Sequence, residues 1–302
     1  MRSQWIVMAA AWAAGALCSV PALEARDGKR IFISVDMEGI GGVVTDQQLG
    51  VTGFEYQRFR ELMTEETNAT IAAARQAGAS EFVVADSHGS FQNLLVDKLP
   101  PDVQLVRGTP RPLGMMQGID DSFDGVVFVG YHASTTNPEG VRAHTFSSAN
   151  LADVKVNGSS VTEGAWNAGI AGHFGVPVLA VSGDEAAVKE VQSQVAGVEG
   201  AIVKWAYGFH SARVLSPEMS RQAIGDAVKR GMARRAQLTP HRVKTPIEVE
   251  LRFKAYRPSE ILSWLPLFKR VDSHAVRFAA KDMLEAARIV SFLSSYQADL
   301  QP

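Results

Sequence analysis

With 302 residues, 46% of them hydrophobic and 21% charged, the chain has the composition of an ordinary globular protein, long enough for one large α/β domain or two smaller ones. A formal net charge of -2, with no repeat and no low-complexity tract, removes the usual reasons to expect nucleic acid or an anionic membrane surface as a partner. One cysteine cannot make an internal disulfide, so any site chemistry rests on carboxylates, imidazoles and hydroxyls.

Residues 1–25 differ from the rest. Arg2 supplies a positive start, Ile6 to Leu17 is apolar and alanine-rich, and the small residues Ala22 and Ala25 follow. That pattern is a secretory signal peptide, too short and wrongly flanked for a stable spanning helix, with cleavage expected after Ala22 or Ala25. An uncleaved anchor is the alternative. Cys18 lies in this segment, and Leu17 before it fits a lipoprotein signal poorly. The mature protein is therefore expected to be periplasmic or secreted, cysteine-free, and without stable membrane insertion.

The first strand is expected over Arg30 to Asp36, and it runs into Met37-Glu38-Gly39-Ile40-Gly41-Gly42. Side chains two apart in an extended strand point the same way, so Asp36 and Glu38 can face one site. Two like charges that close raise each other's pKa unless a cation lies between them. A strand ending in a polar turn is the plainer reading. The glycines do not form a dinucleotide loop, because Val44 stands where the third glycine of GxGxxG would be. Phe54 to Ala77 has helical periodicity, with Phe59, Leu62, Met63, Ile71 and Ala74 on one side and Gly78 closing it. Glu65 and Glu66 sit mid-helix, where a solvated charge is the ordinary role and support of the site from behind is the alternative.

Glu81 to Asp86 is the second strand and leads into Ser87-His88-Gly89. A short strand is expected at Val103 to Arg107. Gly125 to Tyr131 is a near-continuous apolar run of the kind covered on both faces, and it ends at His132. A loop with Pro138 and Gly140 carries the chain to His144. Leu151 to Val156, Asn157-Gly158 and Ser160-Val161 read as a hairpin-like turn entering a helix from Thr162 to Phe174, with Glu163 in its first turn. Val176 to Ser182 is a further buried strand, and Asp184 opens another helix. Beyond Ser216 come a basic helix (Pro217 to Gln237), strands at Ile247 to Phe253 and Val271 to Phe278, and a closing helix from Lys281 to Tyr296. His241 and His274 read as surface or structural.

Strand–helix alternation predicts an α/β fold, a mostly parallel sheet with helices on both faces, plus a C-terminal α+β subregion. The expected division is 1–25 signal peptide, 27–238 catalytic region and 239–302 C-terminal subregion packed on the same domain. Ligands of such sheets bind beyond the carboxyl ends of the strands, where Asp36, Glu38, His88 and His132 all fall. With Glu163 these make three carboxylates and two histidines, too many for one catalytic zinc with three protein ligands. They suit two metals sharing a bridging carboxylate, roughly 3.5–4 Å apart. Each residue also has a structural reading: the histidines as hydrogen-bonded strand ends, and Glu163 as an acid favoured by the helix dipole. Asp86, Ser87 and His88 are too close in sequence to face one another as a catalytic triad.

The ordered motifs SVDMEGIGG, MTEETNA, DSHG, GYHA, HTFS, TEGAWNA and FAAKDMLEA resemble those of the zinc-dependent D-aminopeptidase family linked to dipeptide-transport operons, over nearly everything after the signal peptide. The resemblance implies an α/β catalytic fold, two zinc ions per subunit, a ring-like homo-oligomer, and hydrolysis of short peptides with an amino-terminal D-residue. It implies that Asp36, Glu38, His88, His132 and Glu163 are zinc ligands, and that His144 matches a histidine with a catalytic role. The signal peptide departs from the well-known members, which look cytoplasmic, and leaves the natural substrate open.

The expectation is therefore an exported dinuclear zinc aminopeptidase in which a metal-bound hydroxide attacks short peptides, D-alanine-containing cell-wall fragments among them. Asp36 is taken to bridge, Glu38 and His88 to complete one metal, and His132 and Glu163 the other. His144 would donate a proton or stabilise the oxyanion. The rival readings are a dinuclear hydrolase of another amide or a phosphoester, and a non-catalytic periplasmic peptide-binding protein.

Overall fold

The computed structural model describes residues 28–296, so the signal-peptide expectation and Cys18 lie outside the described residues. In chain order the elements are β1 (Lys29–Val35), α1 (Tyr56–Gln76), β2 (Ala79–Asp86), β3 (Gln104–Val106), β4 (Gly125–Tyr131), β5 (Leu151–Val156) and β6 (Ser159–Ser160). They continue with α2 (Glu163–His173), β7 (Val178–Asp184), α3 (Glu185–Gln194), β8 (Glu199–Gly208), β9 (Ser211–Val214) and α4 (Pro217–Arg234). The last are β10 (Ile247–Phe253), α5 (Tyr256–Leu262), β11 (Lys269–Arg270), β12 (Ala275–Ala280) and α6 (Met283–Ser295).

Seven strands form one sheet in the order β3-β2-β1-β4-β7-β8-β9, parallel except for β9 at the edge. β1 feeds β2 on one side through α1, and β4 lies on its other side. The connectivity thus reverses at β1, and a crevice opens beyond the carboxyl ends of β1 and β4. A second, antiparallel sheet runs β11-β12-β10-β5-β6, so the hairpin at 151–160 pairs with strands from the C-terminal end of the chain.

Strand alternation explains the layers. Ile31, Ile33 and Val35 of β1 pack with Phe59, Leu62 and Met63 of α1 and Ile224 and Val228 of α4. Phe32 points to the other face, into a core shared by α2, α6 and the inner side of the second sheet, where Val249, Leu251 and Phe278 lie. Both faces of the parallel sheet are therefore covered, as its continuous apolar strands require.

The boundaries differ from the sequence pattern where capping or turn chemistry decides. Thr162 and Asp184 are N-caps, their side chains accepting from Ala165 N and Ala187 N at 2.9 and 2.8 Å, so the helices begin one residue later. The strand expected over Val271 to Phe278 begins at Ala275. Asp272 and Ser273 make a turn in which Asp272 Oδ1 accepts from His274 N at 2.8 Å. The β8–β9 hairpin and α5 lie outside the elements expected from the sequence, since Lys204 interrupts the apolar residues of β8, and β9 and α5 are short and polar. At the tip between β5 and β6, Asn157 and Gly158 have φ of 50° and 86°, the pair of left-handed residues a two-residue hairpin turn needs. Among the described residues no helix is long and apolar enough to cross a membrane.

Candidate metal centre

All six residues singled out from the sequence line one cavity of about 390 Å³. Asp36 is the first residue past β1, its N–H bonded to Val129 O of β4 at 2.8 Å. Glu38 follows two residues on, at the start of the glycine turn. His88 lies two residues past β2, behind Ser87, whose N–H bonds to Val35 O at 2.8 Å. His132 directly follows β4, and Glu163 is the first residue of α2. His144 comes from the loop between β4 and β5.

These side chains form two clusters, Asp36–Glu38–His88 and His132–His144–Glu163, and within each the donor atoms lie within 4.8 Å of one another. In the first, His88 Nδ1 is 2.7 Å from Glu38 Oε2 and 3.5 Å from Asp36 Oδ1. In the second, His132 Nε2 is 3.5 Å from Glu163 Oε2. Asp36 joins them, because its other oxygen, Oδ2, is 3.2 Å from His132 Nε2. His144 Nε2 stands 3.9 Å from both Glu38 Oε1 and Glu163 Oε1, and its ring lies parallel to that of His132 with centroids 4.0 Å apart.

Each imidazole is oriented by the protein backbone. His88 Nε2 lies 2.9 Å from Leu49 O, His132 Nδ1 3.1 Å from Ala133 O, and His144 Nδ1 2.8 Å from Arg142 O. A carbonyl oxygen only accepts, so the outward nitrogen carries a hydrogen, and the inward nitrogen is the one that can give a lone pair to a cation in the cavity. That is the arrangement of a metal-binding histidine. Glu163 is likewise held, its Oε1 accepting from Phe146 N at 2.6 Å.

Electrostatics support the same fit. Burial and the adjacent Glu38 carboxylate raise Asp36 above the ordinary carboxylate range, against the pull of His132 and His88. Burial also works to raise Glu38 and Glu163, but His88 beside the first and His132 beside the second hold both below that range. Burial disfavours charge on His88 and His132, yet Glu38 and Glu163 respectively, with Asp36, raise both well above an ordinary histidine. Three carboxylates buried together draw positive charge to the pocket. Asp36 Oδ2 and His132 Nε2 are moreover buried facing each other at 3.2 Å without hydrogen-bond geometry and with no other hydrogen-bond partner, which in a closed core is costly unless a cation lies between them. Oxygen and nitrogen donors without sulfur fit zinc in a hydrolytic site.

Away from this cluster the cavity is neutral. Phe91, Leu113, Met115, Phe146 and Trp166 supply apolar walls, and Ser291 and Ser294 of α6 supply hydroxyls. Trp166 shares its helix with Glu163, and Phe146 meets it edge to face at 5.3 Å. The α6 wall had no signal in the sequence, since a closing amphipathic helix reads only as packing.

A family model described as D-aminopeptidase matches residues 29–292. A D-aminopeptidase of Bacillus subtilis strain 168 is 34% identical over 258 residues, covering 85% of this chain and 93% of that protein. A solved structure titled as the Zn-dependent D-aminopeptidase DppA from Bacillus subtilis, a self-compartmentalizing protease, superposes with a TM-score of 0.83. It is 34% identical and covers 89% of this chain and 99% of its own.

Proposed function

The chain belongs to the D-aminopeptidase family and is a zinc-dependent aminopeptidase, and from that premise we propose that it holds two zinc ions per subunit and removes an amino-terminal D-residue from short peptides outside the cytoplasm. The observation that carries the dinuclear reading is the two-sided reach of Asp36, with Oδ1 toward His88 and Oδ2 toward His132. Asp36 would bridge, Glu38 and His88 would complete one site, and His132 and Glu163 the other. When bound, the zinc pair supplies the Lewis acidity that generates a nucleophile from water at neutral pH and polarises the scissile carbonyl.

The chain's own groups do the rest. Phe146 and Trp166 exclude water from one side of the cavity and receive the apolar part of a residue. Among the described residues no lysine or arginine lines the cavity, which suits short neutral peptides over substrates held by an anionic group. His144, its Nδ1–H fixed on Arg142 O, aims Nε2 at the space between the clusters. There it can donate to the oxygen developing on the carbonyl or deliver a proton to the leaving amine. A second reading has one observation in its favour: His144 Nε2 belongs to the cluster with His132 and Glu163, so His144 could be a ligand. Metal content of His144→Ala separates the two.

Export rests on the pattern of residues 1–25, and assembly into a homo-oligomer on the similar solved structure described as self-compartmentalizing. Amino-terminal sequencing of protein from its host should begin near Leu23 or Arg26; an intact Met1 on soluble cytoplasmic protein would refute export. A screen of zinc-replete protein on D- and L-aminoacyl peptides beside phosphoesters tests the reaction. Turnover confined to peptides with an amino-terminal D-residue is expected, and preferential phosphoester hydrolysis would overturn the proposal.

A further inference from the structure

Lys204 of β8 is fully buried, and it does not line the cavity. Lysine is almost never enclosed unless its charge is matched, so its surroundings need a reason. An ammonium has three hydrogens to donate. Here its Nζ has three acceptors, all backbone carbonyls of one turn: Glu38 O, Ile40 O at 3.1 Å and Val43 O at 2.6 Å. The turn is the one that carries Glu38. A second buried ionisable residue bonds to the same turn: Glu66 of α1, whose Oε1 accepts from Gly41 N at 3.0 Å. Gly39 N bonds in addition to Gly130 O at 2.7 Å.

The glycines make this close grip possible. A Cβ on Gly39 would run into the carbonyl oxygen of Tyr131, and one on Gly41 would meet the Ser220 hydroxyl and the Glu66 carboxylate. Gly42 has φ of +89°, in the left-handed region. The run Gly39-Ile40-Gly41-Gly42 is thus a turn drawn tight against two charged side chains, with its carbonyls turned away from the cavity and the Glu38 carboxylate turned into it.

We infer that Lys204 and Glu66 are positioning residues for the metal centre, gripping the 38–43 turn by its carbonyls and its Gly41 amide so that Glu38 meets His88 in ligating geometry. The inference rests on the reading of Glu38 and His88 as ligands of one ion. It predicts an asymmetry, because Lys204 and Glu66 bond to the turn that carries Glu38 and make no hydrogen bond to His132, Glu163 or the backbone groups that orient them. A general packing role would lower stability without choosing between the two ions.

The test is chelator competition on the full-length, zinc-loaded protein, read as ions retained per chain, with His88→Ala as the ligand control. Lys204→Met keeps the bulk of the stem and removes all three donors. It should weaken one ion of the two by roughly 10–100-fold, the range for partners that orient ligands, and leave the other at wild-type affinity. Glu66→Ala should act in the same direction. Glu66→Gln keeps an acceptor for Gly41 N and should restore wild-type retention. If Lys204→Met does not fold, the Glu66 pair decides. Wild-type retention of both ions in folded Lys204→Met or Glu66→Ala would overturn the inference, as would equal losses in Glu66→Gln and Glu66→Ala. If His88→Ala itself retains both ions, the ligand reading fails first.

Discussion

Asp36, Glu38 and His88 project from the ends of two adjacent parallel strands, whereas His132, His144 and Glu163 are assembled from a strand end, a long loop and the first turn of a helix. In the first cluster two of the three are two residues apart, and their turn is held by backbone hydrogen bonds and by Lys204 and Glu66. In the second, order comes from contacts among the cluster's own side chains and the backbone of the loop that carries His144. His144 stacks on His132, His144 N bonds to Ala133 O at 3.0 Å, and Phe146 N bonds to Glu163. Arg142 and Phe146, on either side of His144, have φ of 55° and 61°, a conformation that costs a non-glycine residue free energy and persists only where its surroundings enforce it. The comparison suggests a division of labour. The strand-end cluster is held by side chains from outside it, whereas the loop-built cluster is held by the loop that carries His144.

Asp36 belongs to one cluster and reaches the other through Oδ2, so removing it should have the largest effect. Asp36→Ala is expected to retain fewer than one zinc per chain and to lose activity by roughly 10³-fold or more, by comparison with deletions of groups on which a whole site depends. Elemental analysis beside a turnover assay checks this, and an Asp36→Ala chain holding two ions would dissolve the link between the clusters. Next come the single-cluster breaks. His88→Ala and His132→Ala should each lose about one ion, from opposite sides of Asp36. Identical chelator profiles in the two variants would mean that the clusters are not separate sites.

His144→Ala sharpens the comparison further. Acting on the transition state, it should keep both ions and its KM while kcat falls roughly 10²-fold. Loss of one ion would make it a ligand of the loop-built cluster instead.

The smallest effect is on stability. Burial raises the Glu66 carboxyl from 4.5 to about 7, against the pull of the Gly41 amide, Lys204 and Arg221. The folded chain therefore holds this proton more tightly than the unfolded chain does. The associated stability is present in full below about 4.5 and is lost as pH rises through about 7. Glu66→Gln imitates the protonated form, so relative to wild type it should gain about 3 kcal/mol at pH 8 and nearly nothing at pH 4.5. Denaturant unfolding at the two pH values measures this, and a pH-independent difference would show that Glu66 is not buried as an acid.

How much of this could be read in the chain follows from where each signal lies. β4 is a continuous apolar run and matches its expected bounds, Gly125–Tyr131, because burial on both faces leaves an unmistakable pattern. Asp36, Glu38, His88 and His132 stand out because polar groups at the ends of such runs have few other places to be. Lys204 was hidden for the opposite reason. β8 mixes buried and half-exposed positions, and a lysine on such a strand reads as solvated until the turn it holds is seen. The second sheet was only half legible. Leu151–Val156 and Ile247–Phe253 are each strand-like, but nothing local states that they pair across some ninety residues of chain. The left-handed residues beside His144 were unreadable too, since arginine and phenylalanine give no sequence hint of such a conformation.

The central claim, two cooperating ions joined by Asp36, is tested most directly by adding zinc back to metal-depleted protein and following turnover of a dipeptide with an amino-terminal D-residue. The account predicts that activity rises until about two equivalents per chain are bound and then levels off. Full activity at one equivalent, with a second ion adding nothing, would contradict it.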